Sequence, residues 1–250
     1  MVEFRRWGVG ESMDEMIDDG GKWWFKKSMK CTLFALFTAL VMVGCRDSPS
    51  DSTTSTQSSK PIDFDDPETL DKIIAEAIDQ DKLKVQGKKG EELYYAPNQQ
   101  TPYTGGVKEI YSNGQIKLLG QVKCGKADGL LTLWHGNGKK MSELNLNDGK
   151  ENGLWTVWYE KGQKQSERKM KDGKLDGLLT KWHENGQKKY EGNYKDGKPN
   201  GLEIEWYKNG QKKNEANYKD NKHDGLHTQW NEKGQIIKKI TYKDGFEVKD

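Results

Sequence analysis

The feature of the sequence that most constrains the fold is a glycine that recurs every 24 residues along the second half of the chain. The spacing holds without a slip from the first member of the row to the last. A fixed period of this length indicates one supersecondary unit stacked repeatedly, in which each copy contacts mainly its neighbours. The row consists of Gly105, Gly129, Gly153, Gly177, Gly201 and Gly225.

A second glycine row predicts that the unit is a β-hairpin. Most of these glycines follow an asparagine, as in Asn137-Gly138, and such pairs suit a two-residue type I′ turn. In a third row an aspartate usually precedes the glycine, as in Asp196-Gly197, which predicts the turns between units. The predicted hairpin-turn glycines are Gly114, Gly138, Gly162, Gly186, Gly210 and Gly234.

Leucine, threonine and tryptophan alternate along the first strand of each unit. Leu154, Thr156 and Trp158 therefore share one face of a strand, because successive side chains point to opposite faces. We predict that this face is buried by stacking and that the opposite face, which changes from unit to unit, meets solvent. The predicted repeat core is Leu130, Trp134, Leu154, Trp158, Leu178, Trp182, Leu202, Trp206, Leu226 and Trp230.

About six such units over residues 103–250 predict an all-β fold, an elongated antiparallel β-hairpin meander. Residues 61–102 precede it and predict a short amphipathic helix followed by an irregular capping hairpin. Asp66-Pro67 is a typical helix start, and apolar residues at helical spacing extend the prediction over residues 67–80. We expect the apolar stripe of this helix to pack on the first units.

The amino-terminal part of the chain carries an export pattern. Residues 31–44 form an apolar run that follows several lysines, and at 14 residues it is shorter than the about 20 that a membrane-spanning helix needs. This is typical of a signal peptide. Residues 41–45 resemble the lipobox of bacterial lipoproteins, which implies that Cys45 is lipidated. An ordinary cleaved signal or a membrane anchor, with Cys45 incidental, remains the alternative.

Two further boundaries follow from composition. Residues 1–44 are interpreted as an amino-terminal extension and signal peptide, although the acidic start indicates that translation begins later, at Met16 or Met29. Residues 45–60 hold the lipidation site and a Ser/Thr-rich disordered tether, because they contain too few apolar side chains to offset the entropy of ordering. Such a tether would hold a folded array away from a membrane surface.

Composition favours binding over catalysis. Only 32% of residues are hydrophobic, so no large core is expected, and 41 basic residues nearly balance 39 acidic ones, which disfavours a nucleic-acid partner. Glutamates recur three residues after lysines, and we predict solvated ion pairs rather than a cation site. His135 and His183 look like surface variants. We expect no cofactor, no metal at His223 and His227, and an exposed free thiol at Cys124.

The repeat pattern Tyr-Lys-Asp-Gly-Lys-x-x-Gly-Leu-x-x-x-Trp-x-x-Asn-Gly resembles the MORN repeat, in particular the bacterial variant found in YwqK family antitoxins. The resemblance covers residues 103–250 and departs from the standard motif in lacking its Gly-x-Gly step, since Leu202 and Glu203 follow Gly201. It implies a binding or scaffolding role. The family name also suggests an antitoxin.

These observations predict a non-enzymatic lipoprotein, exported and lipid-anchored in the cell envelope, whose array binds a protein partner or envelope component. A periplasmic or secreted location is the alternative. Two other functions stay open: an antitoxin or immunity protein that neutralises a toxin by direct contact, and a cell-wall glycan binder that uses its aromatic rows. We expect no nucleic-acid partner and no small-molecule substrate.

Overall fold

The computed structural model describes residues 67–249, which contain one α-helix and 18 strands. The predictions made for residues 1–66, including the signal peptide, lipidation of Cys45 and the cap at Asp66, lie outside the described residues.

Sixteen strands form one sheet, in which strands mostly pair in chain order, and β2 and β3 form a separate hairpin. The elements are α1 (Pro67–Glu76), β1 (Ile78–Asp79), a 3-10 turn (Gln80–Lys82), β2 (Lys84–Gln86), β3 (Leu93–Tyr95), β4 (Gly105–Ile110), β5 (Ile116–Lys123), β6 (Lys126–Ala127), β7 (Gly129–Trp134), β8 (Lys140–Asn147), β9 (Lys150–Trp158), β10 (Lys164–Lys171), β11 (Lys174–Trp182), β12 (Lys188–Lys195), β13 (Lys198–Trp206), β14 (Lys212–Lys219), β15 (Lys222–His223), β16 (Gly225–Trp230), β17 (Ile236–Lys243) and β18 (Phe246–Glu247).

The sheet confirms the predicted antiparallel meander. From β4 onward every pairing is antiparallel, and the same hairpin geometry recurs with the sequence period. The one parallel pair among the described strands is β1 with β4, at the start of the array. Hairpins in direct succession account for this order, because connections of two and five residues leave the chain no room to cross over.

Helix α1 is shorter than predicted because the residues after it are used for pairing. It ends at Glu76, and Ile78 and Asp79 then pair with Val107 and Lys108 of β4. Its apolar stripe packs on the first units, as expected. Leu70, Ile73 and Ile74 contact the buried cluster of Ala77, Leu119 and Trp134.

The Asn-Gly loops are not the type I′ turns that the sequence predicts. Gly138 has a φ of 80°, but Asn137 stays in the ordinary negative region, and the Gly138 N–H donates to the carbonyl of His135 at 2.9 Å. This is a four-residue turn that ends in a left-handed glycine. The Asn137 side chain explains the choice: its Oδ1 accepts from the Lys139 N–H, and its Nδ2 donates to the Glu160 carbonyl of the next unit.

The type I′ turns lie instead between units. Asp148 and Gly149 have φ values of 51° and 80°, and the flanking Asn147 and Lys150 pair directly. A type I′ turn needs positive φ at both central residues, which aspartate tolerates better than most side chains and glycine tolerates freely. The tightest connections in the sheet therefore join one unit to the next.

Four of the five leucines of the predicted repeat core are exposed, and a recurring bulge explains why. In β13, residues 200–202 stand opposite Asn193 alone, so Leu202 has a cross-strand neighbour on one side, Asn217, and none on the other. The same three-to-one register recurs at the equivalent residues of β9 and β11. The prediction that these leucines are core is therefore wrong. The exposed fractions are 50% for Leu154, 45% for Leu178, 40% for Leu202 and 41% for Leu226.

The tryptophans occupy an intermediate position. Trp134 is buried because helix α1 packs beside it. The later tryptophans are half-buried. A lysine of the preceding unit lies over the rings of Trp182, Trp206 and Trp230, with 5.8 Å between Lys188 Nζ and the Trp206 centroid. The half-buried members of the predicted core are Leu130, Trp158, Trp182, Trp206 and Trp230.

Most of the large buried apolar side chains lie on the opposite face, which the sequence predicts to meet solvent. Leu179 is 5% exposed, and it has cross-strand neighbours on both sides, Arg168 and Gly192. Register thus decides which of two adjacent leucines is buried: Leu179 has cross-strand neighbours on both flanks, whereas Leu178 has one on a single flank. Further buried residues of this face are Leu118, Leu131, Leu133, Leu144, Leu146, Trp155 and Met170.

Adjacent residues of one strand provide a direct test of this inverted burial. We expect Leu179→Ala to cost about 2–4 kcal/mol of unfolding free energy, as a buried leucine does, because its methyl groups lose contacts on both flanks. Leu178→Ala should cost about 0.5 kcal/mol or less, because it removes a half-exposed side chain from the same strand. Urea unfolding followed by tryptophan fluorescence measures both. Equal losses, or a larger loss for Leu178→Ala, would contradict the assignment.

Candidate binding site

Two faces of the sheet differ in how they change along the chain. We call the face of Leu154, Thr156 and Trp158 the tryptophan face, and the opposite face the variable face. The tryptophan face repeats nearly the same residues in each unit, whereas the variable face is apolar from β5 to β8, mixed in β9 and β10, and polar and aromatic from β11 onward. This last part, the polar segment, comprises Lys181, Tyr190, Tyr194, Glu203, Glu205, Asn214, Tyr218, His223, His227, Gln229 and Tyr242.

A stacked cation marks the boundary between the apolar part and the polar segment. The Arg168 guanidinium lies 3.5 Å from the centroid of the Trp155 ring, whose Nε1–H donates to the Ser142 hydroxyl at 2.9 Å. Burial lowers the pKa of Arg168 to about 10, and the charge of Glu151 opposes that shift. The arginine remains charged at neutral pH and lies where the apolar part of the variable face ends.

A tyrosine pair and a carboxylate form the first group of the polar segment. Gly192 replaces Arg168 one unit later, and the Tyr190 ring lies over this glycine, where a Cβ would come within 2.5 Å of the tyrosine oxygen. From there the Tyr190 hydroxyl donates to Glu203 at 2.8 Å and lies 2.7 Å from the Tyr194 hydroxyl. Burial raises the pKa of Glu203 and, together with these contacts, the pKa of Tyr190.

Four stacked rings form the second group. His223 lies 4.4 Å from Tyr218, 5.1 Å from His227 and 5.0 Å from Tyr242, measured between ring centroids. His227 Nε2 lies 2.6 Å from Asn214 Oδ1, which fixes its orientation. Burial lowers the pKa of both histidines and raises the pKa of Tyr218 to about 12.

A shallow groove of about 300 Å³ lies beside these rings, at the hairpin-turn end of the polar segment. Glu205 and Lys213 form an ion pair at 3.4 Å on its wall. Planar polar side chains beside aromatic ones provide oriented donors and acceptors for a ligand surface, as binding sites generally do. The groove is lined by Glu205, Tyr207, Lys213, Asn214, Gln229, Trp230 and Ile237.

The predicted ion pairs of the tryptophan face are present, so each glutamate of that row has a lysine partner. Lys140 pairs with Glu143 at 2.7 Å, and Lys188 pairs with Glu191 at 2.5 Å. The equivalent pairs in the other two units are Lys164 with Glu167 and Lys212 with Glu215. Within residues 67–249 no group of three or more His, Cys, Asp or Glu side chains is arranged to hold a metal ion.

His135 and His183 are not simple surface variants. Each imidazole Nε2 contacts the tryptophan carbonyl of the next unit, as His183 does with Trp206 at 3.1 Å. Tyrosine fills the same role in other units, where the Tyr159 hydroxyl donates to the Trp182 carbonyl at 2.8 Å. These side chains therefore link successive units by hydrogen bonds.

Cys124 is a partly exposed free thiol with a φ of 48°, and it occupies the turn position that aspartate holds in later units.

Sequence reasoning missed the polar segment because it assigned the whole variable face to solvent. A signal was available. At the position of Trp155 the following units carry Leu179, Glu203 and His227, whereas most other positions repeat. Where this position is polar and only half-buried, as at Glu203 and His227, its side chain is not needed for stacking and is available for recognition.

The matched segments of the chain coincide with the hairpins just described. Residues 151–172, 175–196, 199–220 and 224–244 match the family model of the MORN repeat variant. These four hairpins resemble MORN repeat variant units. Each matched segment begins after a type I′ turn and contains one Asn-Gly or Lys-Gly loop with its two strands. Apart from His223, the residues of the polar segment lie within the last three matched segments. A comparison with curated proteins gave no significant match.

Neutralising one carboxylate of the polar segment tests the electrostatics of this face. The pKa of Glu203 is raised above its ordinary value of 4.5, so the folded state holds the proton more tightly than the unfolded chain does. The contribution of Glu203 to stability is therefore complete below about pH 4 and is lost as the pH rises through the raised value. Glu203→Gln should raise the urea midpoint at neutral pH, and the gain should vanish below about pH 4.

Glu205→Gln is the matched control for this measurement, because Glu205 lies on the same strand and face but pairs with Lys213. Losing this ion pair in Glu205→Gln should leave the urea midpoint unchanged or slightly lower, since an exposed ion pair contributes about 0.5 kcal/mol. A lower midpoint for Glu203→Gln at neutral pH would show that its hydrogen bond with Tyr190 outweighs the cost of burial.

Proposed function

We propose that the protein is a membrane-tethered lipoprotein of the bacterial cell envelope whose MORN units bind a protein partner through the variable face. The export pattern of residues 31–45 and the Ser/Thr-rich residues 45–60 support the tether. MORN repeats are often protein-binding or membrane-associated repeats, which supports a binding role in general. Among the described residues 67–249, no helix is long and apolar enough to cross a membrane.

One observation carries the choice of face. The tryptophan face repeats its chemistry from unit to unit, so a partner bound there would find equivalent positions every 24 residues. The variable face changes from unit to unit, and in the last two units it offers the half-buried Glu203 and His227 at the position where earlier units bury Trp155 and Leu179. Specific recognition requires such differences, because a partner must bind one position along the array more tightly than the positions one or more units away.

The identity of the partner separates the narrower functions. An antitoxin or immunity role would require that the partner be a toxin neutralised by direct contact. A cell-wall role would require that the aromatic and amide side chains of the polar segment bind a glycan instead of a protein. Both use the same face, and a covalent capture experiment at that face distinguishes them.

Lipid attachment is tested at Cys45. In cells grown with a labelled fatty acid, the wild-type protein should carry the label and fractionate with membranes. Cys45→Ala should lose both the label and the membrane association, because the thiol is the attachment point. Cys124→Ala is the matched control and should keep both. A labelled, membrane-bound Cys45→Ala protein would contradict the lipoprotein proposal.

The binding face is tested with a photocrosslinking amino acid at two adjacent positions. Tyr194 lies on the variable face and Asn193 on the tryptophan face of the same strand. We expect a discrete crosslinked product in intact cells from position 194 and none from position 193. Mass spectrometry of the product then shows whether it is a toxin, another protein or a glycan. A product from position 193 alone would overturn the choice of face.

A further inference from the structure

The last hairpin of the array is joined to the preceding one by two separate stretches of main-chain pairing. Strands β14 and β16 are in register at two residue pairs, Asn214 with Gln229 and Glu215 with Thr228. The short β15 adds two pairs at the other end of β14. Between these two pairings the register is broken, and His223 and His227 lie on the two sides of the break.

The four stacked rings bridge this break. Tyr218 belongs to β14, His223 to β15, His227 to β16 and Tyr242 to β17, so the stack connects the last hairpin to the strand before it. The two imidazoles are nearly parallel, with an angle of 9° between their planes and 5.1 Å between their centroids. Ring packing therefore adds side-chain contacts across the break, beside the main-chain hydrogen bond that Asp224 N–H donates to the Asn217 carbonyl at 2.9 Å.

The stack suits neutral imidazoles and offers no acceptor for the second ring proton that would charge one of them. Asn214 Oδ1 accepts a hydrogen bond from His227 Nε2, so the Nδ1 of a neutral His227 carries no hydrogen. The Nδ1 atoms of His223 and His227 are both buried and have no hydrogen-bond partner. A proton at either atom would create a buried N–H donor without an acceptor, which is costly.

The surrounding charges do not compensate for such a proton. On β17, Lys238 repels a charge on His227, and each imidazole repels the other. On β13, Glu203 and Glu205 are the acidic groups on this face, but Glu203 already accepts from Tyr190 and Glu205 pairs with Lys213. The remaining groups facing the stack are the neutral hydroxyls of Tyr218 and Tyr242 and the amides of Asn214 and Gln229.

We propose that this stack is a proton-sensitive latch, which holds the last hairpin closed when both histidines are neutral and releases it when either imidazole takes up a proton. Release would remove His227, Gln229 and Tyr242 from the polar segment. The inference that the latch controls partner binding rests on the proposed function. The latch itself is a property of the isolated protein.

The sign of the effect follows from linkage. The pKa of each histidine is lowered from its ordinary value of 6.5, so the closed state holds fewer protons than the open one. Closure is therefore fully stable above the ordinary value and loses stability as the pH falls from 6.5 toward the lowered values. The latch opens in mildly acidic conditions.

Amide hydrogen exchange on the full-length protein tests the latch. Between about pH 7.5 and pH 5.5, after correction for the intrinsic exchange rate, protection of β17 should fall about tenfold, while protection of β11 should not change. The double variant His223→Gln/His227→Gln should lose this pH dependence. His183→Gln is the matched control and should keep it, because His183 binds the Trp206 carbonyl outside the stack.

A uniform fall in protection across the array, or a pH dependence that survives in the double variant, would overturn the latch. Because the double variant could itself loosen the hairpin, the wild-type histidines provide a second test. The chain has four histidines, so each imidazole can be followed by NMR. Titration of His223 and His227 at or above 6.5 would also overturn the proposal.

The hydrogen-exchange experiment tests the latch and the crosslinking experiment tests the binding role, so a negative result in one does not decide the other. Exchange is measured without any partner, so a missing crosslink at position 194 would overturn the binding role and leave the latch intact. A crosslink at position 194 combined with uniform exchange would overturn the latch and support the binding role. If both hold, crosslinking yield should fall in mildly acidic medium in the wild type and stay constant in the double variant.

Discussion

The bulge that follows each type I′ turn determines how the rest of this sheet is built. Three residues of one strand stand opposite one residue of the strand before, as residues 200–202 stand opposite Asn193. This offset leaves the side chain after the bulge glycine with one flanking neighbour instead of two. It thereby exposes the leucines of the tryptophan face and protects the side chains of the variable face.

Much of the architecture could be predicted from the sequence, because glycine spacing and strand alternation are local signals. The hairpin period, the antiparallel order, the helix before the array and the lysine–glutamate pairs all follow from residues within one unit. The burial of the two faces could not be predicted in this way. Leu178 and Leu179 are identical in type and adjacent, and only their cross-strand register separates an exposed position from a buried one.

The site was hidden for a related reason. Tyr190, Gly192 and Glu203 come from two strands, and their contact depends on the Tyr190 ring crossing a position that has no side chain. The stacked rings are likewise drawn from four strands. Turn chemistry was misassigned where side chains act at a distance: Asn137 bonds to the next unit, and this bond favours the longer loop over the two-residue turn.

The bonds between units have a consequence for how such a chain can change in length. Asn137 reaches the carbonyl of Glu160, and Tyr159 reaches that of Trp182, both 23 positions ahead. Each unit therefore carries the donor for the next unit and the acceptor for the previous one. Removing or duplicating a whole unit would again place each donor beside an acceptor. A gain or loss of a few residues would move the donors away from their acceptors. The array is modular at the level of hydrogen bonds, so its variable face can be lengthened, shortened or rearranged while the bonds between units are kept.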